Sequence, residues 1–140
     1  MSQDFTMYVG TVGGGLSVSS DSGANFQHMG MRGTLPPSEC DVRAVTVYPD
    51  NPDRVLAGTN AGVYRSENRG QSWELLDSQM NTEWPAQSHR MSDQWPLQNV
   101  EIWSVTVDPV DTQTIFVGAR PGVFRSKDDG RTWEELPLNV

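Results

Sequence analysis

At 140 residues and a formal net charge of -8, the chain has the length of one domain and enough of it to bury a hydrophobic core. Its acidity, with Lys127 as the single lysine, leaves no basic surface for a phosphate backbone, so we expect no nucleic-acid partner. No apolar run approaches the roughly 20 residues of a membrane helix, so we expect no membrane partner. Residues 1–4 carry no basic signal region, and the lone Cys40 fits a reducing compartment. We therefore expect a cytoplasmic location.

Abundant glycine and five tryptophans are more typical of short strands joined by tight turns than of helices, so the expected fold class is all-β. Internal repetition supports this interpretation, because residues 43–76 align without gaps with residues 103–136. The identical positions include Val45, Thr46, Val47, Pro49, Gly58, Gly62, Val63, Arg65, Ser66, Gly70, Trp73 and Glu74, which return as Val105, Thr106, Val107, Pro109, Gly118, Gly122, Val123, Arg125, Ser126, Gly130, Trp133 and Glu134.

The first repeat in the chain, at about residues 5–30, is a partial copy. Residues 7–10 parallel residues 55–58, and Ser19, Asp21, Gly23 and Phe26 follow at the spacing of the later copies. No counterpart of the first strand of those copies precedes residue 7. This unit is therefore predicted to lack its inner strand.

Each full copy, at about residues 42–77 and 102–138, predicts four short strands and hence one four-stranded antiparallel sheet. The predicted strands are 44–48, 54–58, 63–66 and one beginning at Trp73, then 104–108, 114–118, 123–126 and one beginning at Trp133. The first strand of each copy is apolar on both faces, which is typical of a strand covered on both sides. Proline at 49 and 109 ends it, because proline cannot continue the ladder.

The turn between the third and fourth strands carries a motif. Ser126-x-Asp128-x-Gly130-x-x-Trp133 resembles the Asp-box of BNR repeats, a β-propeller family found in sialidases, sortilin-type receptors, some glucanases and a photosystem assembly factor, and related to WD40 and YVTN repeats. The other two turns depart from the pattern at one residue each. The middle one is Ser66, Asn68, Gly70 and Trp73, and the first is Ser19, Asp21, Gly23 and Phe26.

These turns are expected to be structural. A carboxylate or amide oxygen accepts backbone N–H groups, the hydroxyl adds a local bond, and glycine supplies a positive φ. The aromatic ring is expected to pack beneath the turn. Calcium needs roughly six to eight oxygen ligands, more than one box offers, so we expect no metal, no cofactor and no catalytic role for Asp128 or Asp129. The resemblance places the boxes on the face away from the ligand.

The opposite face is predicted to carry the connections between repeats, at about residues 28–41 and 77–101. The second connection contains a long inserted loop at about residues 78–100, and such loops are usually functional or disordered. The start of the first strand in each full copy lies near the expected propeller axis on this side. The candidate ligand-face residues are Arg43, Glu83, Trp84, His89, Arg90, Trp95, Glu101 and Trp103.

Two interpretations of the inserted loop stay open. Trp84 and Trp95 with Arg90 could form a ligand wall, with rings for a sugar or an apolar side chain and a guanidinium for a carboxylate. Alternatively, the two tryptophans pin the loop over the blades. His89 is more readily explained as a solvated loop residue than as a general base.

The function favoured by these features is a non-catalytic binding or assembly module with a protein or carbohydrate ligand. The alternative is part of a glycoside hydrolase. A sialidase-like mechanism uses a tyrosine nucleophile, and Tyr8, Tyr48 and Tyr64 are poorly placed for that role. A carboxylate pair drawn from Glu39, Asp41, Glu83, Asp93 and Glu101 stays open.

The predicted domain is a single partial β-propeller covering residues 1–140. Propellers close with about four to eight blades, and this chain supplies two full blades and one incomplete blade. We therefore expect either a homo-oligomer, with two chains giving six blades, or the remainder of a longer propeller.

Overall fold

The computed structural model describes residues 4–29, 41–60, 62–76, 101–120 and 122–137. The inserted loop, with Glu83, Trp84, His89, Arg90, Asp93 and Trp95, lies outside the described residues, as do Glu39 and Cys40. Within the described ranges every regular element is a β-strand, which confirms the all-β fold class. The same ranges contain no helix of the length and apolar character needed to cross a membrane.

The strands form three antiparallel sheets, each following the order of the chain. Sheet 1 contains β1 (Met7–Gly10), β2 (Leu16–Ser19) and β3 (Gln27–Met29). Sheet 2 contains β4 (Val42–Tyr48), β5 (Asn51–Thr59), β6 (Gly62–Ser66) and β7 (Glu74–Leu75). Sheet 3 contains β8 (Glu101–Val107), β9 (Ile115–Arg120), β10 (Gly122–Ser126) and β11 (Glu134–Leu136).

The first hairpins of sheets 2 and 3 differ from each other. In sheet 2, Tyr48 pairs with Asn51, so β5 begins three residues earlier than predicted. In sheet 3, the Asp108 carboxylate accepts the N–H groups of Val110 and Asp111, and these hydrogen bonds lower the pKa of Asp108. This local turn holds the chain out of the ladder until Ile115, because a side-chain acceptor competes with strand pairing.

The sheets stack in chain order, with one apolar core between sheets 1 and 2 and another between sheets 2 and 3. Residues of sheets 1 and 2 form the first core, namely Leu16, Val18, Met29, Val42, Val55, Ala57, Tyr64 and Trp73. Residues of sheets 2 and 3 form the second, namely Tyr48, Leu56, Val63, Leu76, Ile102, Val105, Val107, Ile115, Val117, Phe124 and Trp133. Complete burial of a side chain such as Leu56 contributes about 1.5–3 kcal/mol, so these two interfaces hold the sheets together.

Close approach at the inner strands requires glycine. A Cβ atom at Gly10 would lie 2.5 Å from the carbonyl oxygen of Val42, and one at Gly58 would lie 2.6 Å from Cγ2 of Ile102. Both contacts join one sheet to the inner strand of the next. The repeated glycine thus sets how closely successive sheets pack.

Candidate functional site

The inner strands of sheets 2 and 3 each carry a β-bulge near their start. The pairing of β4 with β5 shifts register between Val42 and Ala44, which leaves Arg43 as the extra residue. The corresponding shift in β8 leaves Trp103. A bulge bends its strand and re-aims the side chain of the extra residue. Two side chains at equivalent positions of the repeat are therefore turned out of the ladder.

Arg43 and Trp103 meet at the centre of a small polar cluster. The guanidinium carbon of Arg43 lies 4.2 Å from the centroid of the Trp103 ring. Its Nη2 donates a 2.9 Å hydrogen bond to Asp41, and its Nη1 forms an ion pair with Glu101 that lacks hydrogen-bond alignment. We call Asp41, Arg43, Glu101 and Trp103 the Arg43 cluster.

Hydrogen bonds from two hairpin turns fix Asp41 in place. The N–H of Gly13, between β1 and β2, donates a 2.7 Å hydrogen bond to the Asp41 carboxylate. The side-chain oxygen of Asn60, between β5 and β6, accepts the N–H of Asp41, and the backbone N–H of Asn60 donates to the Asp41 carbonyl. The Arg43 cluster therefore lies at the starts of β4 and β8, beside the turn between β1 and β2 and the turn between β5 and β6.

The Arg43 cluster is suited to recognition. Arg43 is held by two carboxylates and stacks on an indole, and such a cation–π contact is worth about 0.5–2 kcal/mol. Trp103 remains 50% exposed, so part of a rigidly held aromatic surface faces outward. Large aromatic side chains held in this way bind partners with little loss of conformational entropy.

The predicted ligand-face residues divide into two groups. Arg43, Glu101 and Trp103 are brought together, and Asp41, considered in the sequence only as one of several carboxylates, joins them. The remaining candidates at positions 83–95 lie outside the described residues.

The tyrosines lie away from the Arg43 cluster or are buried. Tyr48 is at the opposite end of β4 from Arg43, and its hydroxyl donates a 2.9 Å hydrogen bond to Asp129. Burial raises the pKa of Tyr48 to about 12, which keeps this phenol protonated. Tyr64 is fully buried in the first core, and burial also raises the pKa of Tyr8.

The three predicted box turns connect the third and fourth strand positions and share one geometry. In each, a serine hydroxyl accepts the N–H of a glycine, at 2.9 Å for Gly23, 2.7 Å for Gly70 and 2.8 Å for Gly130. The same hydroxyl donates to the side-chain oxygen of Asp21, Asn68 or Asp128. That oxygen in turn accepts a backbone N–H four residues onward. We call these the serine turns.

The charged serine turns depend on ionised carboxylates. Hydrogen bonds from the side chain and backbone of Asn25 lower the pKa of Asp21 to about 2. The corresponding bonds from Thr132 lower the pKa of Asp128 to about 2. Asn68 makes the equivalent bond through its amide oxygen, so the same hydrogen bond forms without a charge.

Positive φ angles in the serine turns are not confined to the glycines that the sequence predicted to adopt them. The residue before each glycine also has a positive φ, 60° at Ser22, 57° at Arg69 and 59° at Asp129. Positive φ is uncommon for such residues. The backbone N–H of each of these residues donates a hydrogen bond to a carbonyl group near the start of β1, β5 or β9. The accepting carbonyls belong to Phe5, Asp53 and Gln113, respectively.

Burial of the turn aromatic depends on the neighbouring sheet. Trp73 and Trp133 are buried, and each Nε1–H donates to the carbonyl of the turn glycine, at 3.0 and 3.2 Å. Phe26 is 49% exposed and has no ring donor. The expectation that its ring packs beneath the turn is therefore wrong: Trp73 is covered by sheet 1 and Trp133 by sheet 2, whereas the described residues include no sheet on that side of Phe26.

Asp129 connects sheets 2 and 3 in a way that the sequence did not reveal. Its carboxylate accepts hydrogen bonds from the Tyr48 hydroxyl and, at 2.6 Å, from Nη2 of Arg54, while its carbonyl accepts one from Arg65 at 2.8 Å. Arg54 also stacks on the Tyr48 ring at 4.1 Å. The available signal was a break in the repeat, since Arg69 and Ser22 stand at the positions equivalent to Asp129.

A metal site has no support in the described ranges, where no three His, Cys, Asp or Glu side chains are grouped closely enough to hold an ion. The Arg43 cluster supplies two carboxylates, but both contact a guanidinium.

Comparison with known proteins identifies the architecture. No protein-family model matches the sequence, and no curated protein does. Among solved structures, the chain resembles YCF48 bound to a D1 peptide, with a TM-score of 0.61 and 12% identity over 95% of this chain and 38% of that one. The chain folds as blades of a β-propeller.

Two glycoside hydrolases support the same fold. The GH74 xyloglucanase of Xanthomonas campestris aligns with a TM-score of 0.65 and 22% identity, over 96% of this chain and 22% of that one. The GH74 enzyme of Niastella koreensis aligns with a TM-score of 0.62 and 23% identity, over 94% and 21%. At these identities the likeness shows the propeller fold alone, and the chain spans less than two-fifths of each of these structures.

Proposed function

We propose that the chain is a non-catalytic binding or assembly module whose protein ligand docks on the Arg43 cluster. The observation that carries the proposal is the half-exposed Trp103 ring, held from behind by Arg43. Arginine and tryptophan are enriched among residues that dominate protein interfaces. The inserted loop at about residues 78–100 is proposed as a further wall of the same site, with Trp84, Arg90 and Trp95 as its contacts.

A protein ligand is favoured over a carbohydrate for two reasons. The carboxylates of Asp41 and Glu101 and the Arg43 guanidinium bind one another, so they form a preorganised rim and leave the indole as the main contact. In addition, YCF48, one of the structural neighbours, was solved with a peptide bound. A peptide can cover an exposed ring and satisfy a polar rim at the same time.

The test uses a displayed peptide library selected on the intact chain, followed by calorimetry on the selected peptides. We expect Trp103→Ala to weaken binding by about 30-fold, as for a residue that dominates an interface. Phe5→Ala is the matched control, because Phe5 is an exposed aromatic residue away from the cluster, and it should change affinity less than about twofold. Equal losses in both variants, or selection of no peptide, would refute the proposal.

Deletion of residues 80–96 tests the contribution of the inserted loop. We expect the deleted chain to keep the circular dichroism spectrum of the parent and to lose most of its affinity for the selected peptides. If affinity survives the deletion while Trp103→Ala abolishes it, the ligand contacts the Arg43 cluster without the loop.

A second candidate is part of a glycoside hydrolase. It is favoured by the placement of Asp41 and Glu101 on one guanidinium and by the GH74 neighbours. The expected signature is sugar release from xyloglucan or from fluorogenic glycosides, abolished by Asp41→Asn or Glu101→Gln. If the purified chain is folded but releases no sugar from xyloglucan or from any of the fluorogenic glycosides, this candidate function is refuted.

The chain is also proposed to work within a larger ring, since propellers close with about four to eight blades. Additional blades would come either from further copies or from a longer polypeptide. Light scattering separates these sources, because self-association raises the measured mass with concentration and a longer polypeptide does not.

A further inference from the structure

The hairpin turn between β1 and β2 differs from its counterparts in sheets 2 and 3. In sheet 1, the hydroxyl of Thr11 closes the turn by donating a 2.9 Å hydrogen bond to the carbonyl of Gly15, as Thr59 does to Gly62 in sheet 2. Two residues lie inside the turns of sheets 2 and 3, at 60–61 and 120–121. Three lie inside the turn of sheet 1, namely Val12, Gly13 and Gly14. We call residues 11–15 the glycine turn.

The glycine turn is fixed to its surroundings along its whole length. The carbonyl of Thr11 accepts the N–H of Val42 at 2.9 Å, and the carbonyl of Gly14 accepts a 2.5 Å hydrogen bond from Nε2 of His28. The φ angle of Gly13 is 84°, which glycine adopts without strain. Val12 is nevertheless 74% exposed, so the turn holds an apolar side chain out in water on a well-anchored backbone.

Val12 and Trp103 lie on opposite sides of the Arg43 cluster. The N–H of Gly13, next to Val12, donates its 2.7 Å hydrogen bond to Asp41, while the Trp103 ring stacks on Arg43. Because the sheets stack in the order 1, 2, 3, the glycine turn of sheet 1 and the indole of sheet 3 flank the two charged side chains of sheet 2. The cluster is therefore a polar floor between two apolar walls.

The polar floor offers hydrogen-bond acceptors to a ligand. The side chains of Asp41 and Glu101 are 20% and 26% exposed. A carboxylate has about four acceptor positions; the described residues supply two donors to Asp41 and one unaligned ion pair to Glu101. A ligand above the floor can satisfy these oxygens only with donors. The net charge of -8 favours positively charged donors, because complementary charge steers a partner to its site.

On the basis of the function proposed above, we propose that Val12 is a specificity-determining residue of the Arg43 cluster. The ligand is an extended segment of a partner protein with the pattern apolar-x-basic-x-apolar. One apolar side chain packs on Val12, the other packs on Trp103, and the lysine or arginine between them binds Asp41 and Glu101.

The geometry of an extended chain accounts for this spacing. A strand advances about 3.3 Å per residue, so side chains four residues apart are separated by roughly 13 Å, enough to reach across the two charged side chains between the walls. Side chains at even spacing point to the same side of a strand, so all three face the cluster. Recognition of this kind combines apolar anchors with a satisfied polar contact.

The first experiment selects peptides from a displayed random library on the intact chain and measures their affinities by calorimetry. We expect the selected sequences to share the pattern apolar-x-basic-x-apolar. Val12→Ser should weaken their binding about tenfold, as for the loss of one buried apolar contact. Val110→Ser is the matched control, because Val110 is 93% exposed in the turn between β8 and β9, at the other end of sheet 3, and it should change affinity less than about twofold.

A double-mutant cycle assigns each peptide anchor to its wall. The apolar peptide residues are replaced singly by alanine and measured against Val12→Ser and Trp103→Ala. One anchor should couple to Val12, so that the combined loss of affinity is about fivefold smaller than the product of the single losses, and the other should couple to Trp103 in the same way. The two coupled anchors should lie four residues apart, with the basic residue midway.

The outcomes separate this inference from the function on which it rests. If no peptide is selected, or if Trp103→Ala leaves affinity unchanged, both are wrong. If affinity depends on Trp103 but not on Val12, or if the selected peptides carry an acidic residue between their anchors, the inference alone is refuted. If further residues of a longer polypeptide cover Val12, Val12→Ser lowers the midpoint of urea unfolding and leaves affinity unchanged, which also refutes it.

Discussion

The Arg43 guanidinium stacks 4.2 Å from the Trp103 ring, although the two residues belong to different sheets. Each is the extra residue of a bulge at the same point of the repeat. In a regular strand, successive side chains alternate between the two faces of the sheet, and a bulge interrupts this alternation. The bulges instead turn both side chains toward one another, so a structural irregularity kept in two repeats creates the candidate site.

Removal of the Arg43 guanidinium should destabilise the fold. Arg43→Met keeps the length of the side chain but leaves the carboxylates of Asp41 and Glu101 without their shared partner. Because a hydrogen bond to a charged group is worth about 1.5–3 kcal/mol, we expect the free energy of unfolding in urea to fall by about 2 kcal/mol. Lys127→Met, the same kind of change at an exposed residue, should shift it by less than about 0.5 kcal/mol. Equal effects would show that the Arg43 contacts contribute nothing.

Tyr48 should make stability fall at alkaline pH. Burial raises its pKa from 10.0 to about 12, so between these values the unfolded chain loses the phenolic proton while the folded chain keeps it. The unfolded state then binds fewer protons, and stability decreases as pH rises through this window. Tyr48→Phe removes this contribution and should flatten the slope of the unfolding free energy against pH. Some slope should remain, because burial also raises the pKa of Tyr8. An unchanged slope would place the Tyr48 hydroxyl in water.

The hydrogen bond between Tyr48 and Asp129 shows which structural features an internal repeat predicts and which it does not. The strands and their order followed from the alignment of residues 43–76 with 103–136, because positions that repeat occupy the same place in each sheet. The Asp129 contacts did not follow, because Tyr48, Arg54 and Asp129 stand at positions where the copies differ. Pairing across an interface between copies depends on which unlike residues face each other, and spacing along the chain carries no information about that.

The candidate site was likewise predictable only in part. The equivalence of Arg43 and Trp103 was visible in the sequence, whereas the bulges that direct them together were not, since nothing in the residue types marks the extra residue. Exposure of Phe26 was missed for a related reason. The motif describes contacts within one turn, but the ring is buried by the adjacent sheet.

Acid should destabilise the two charged serine turns. The pKa values of Asp21 and Asp128 are lowered from 3.8 to about 2, so between these values the unfolded chain takes up protons that the folded chain does not. This contribution to stability is complete above pH 3.8 and is lost as pH falls toward 2. Asp128→Asn introduces the residue type that the middle turn already uses at Asn68, so the acid limb of the stability curve should become shallower while the fold persists at neutral pH. Loss of the fold at neutral pH would mean that the charge, rather than the acceptor oxygen, holds the turn.

Substitution of the aromatic residues in the serine turns tests whether the turn itself or the neighbouring sheet stabilises the ring. Trp133→Phe removes the Nε1–H bond to the Gly130 carbonyl and buried ring area, so we expect the free energy of unfolding to fall by about 1–2 kcal/mol. Phe26→Trp adds the missing donor at an exposed position, where the hydrogen bond replaces one to water. We expect a change smaller than about 0.5 kcal/mol, measured by urea unfolding under the same conditions. If Phe26→Trp instead stabilises the chain as much as Trp133→Phe destabilises it, the turn itself holds the ring and the adjacent sheet contributes little.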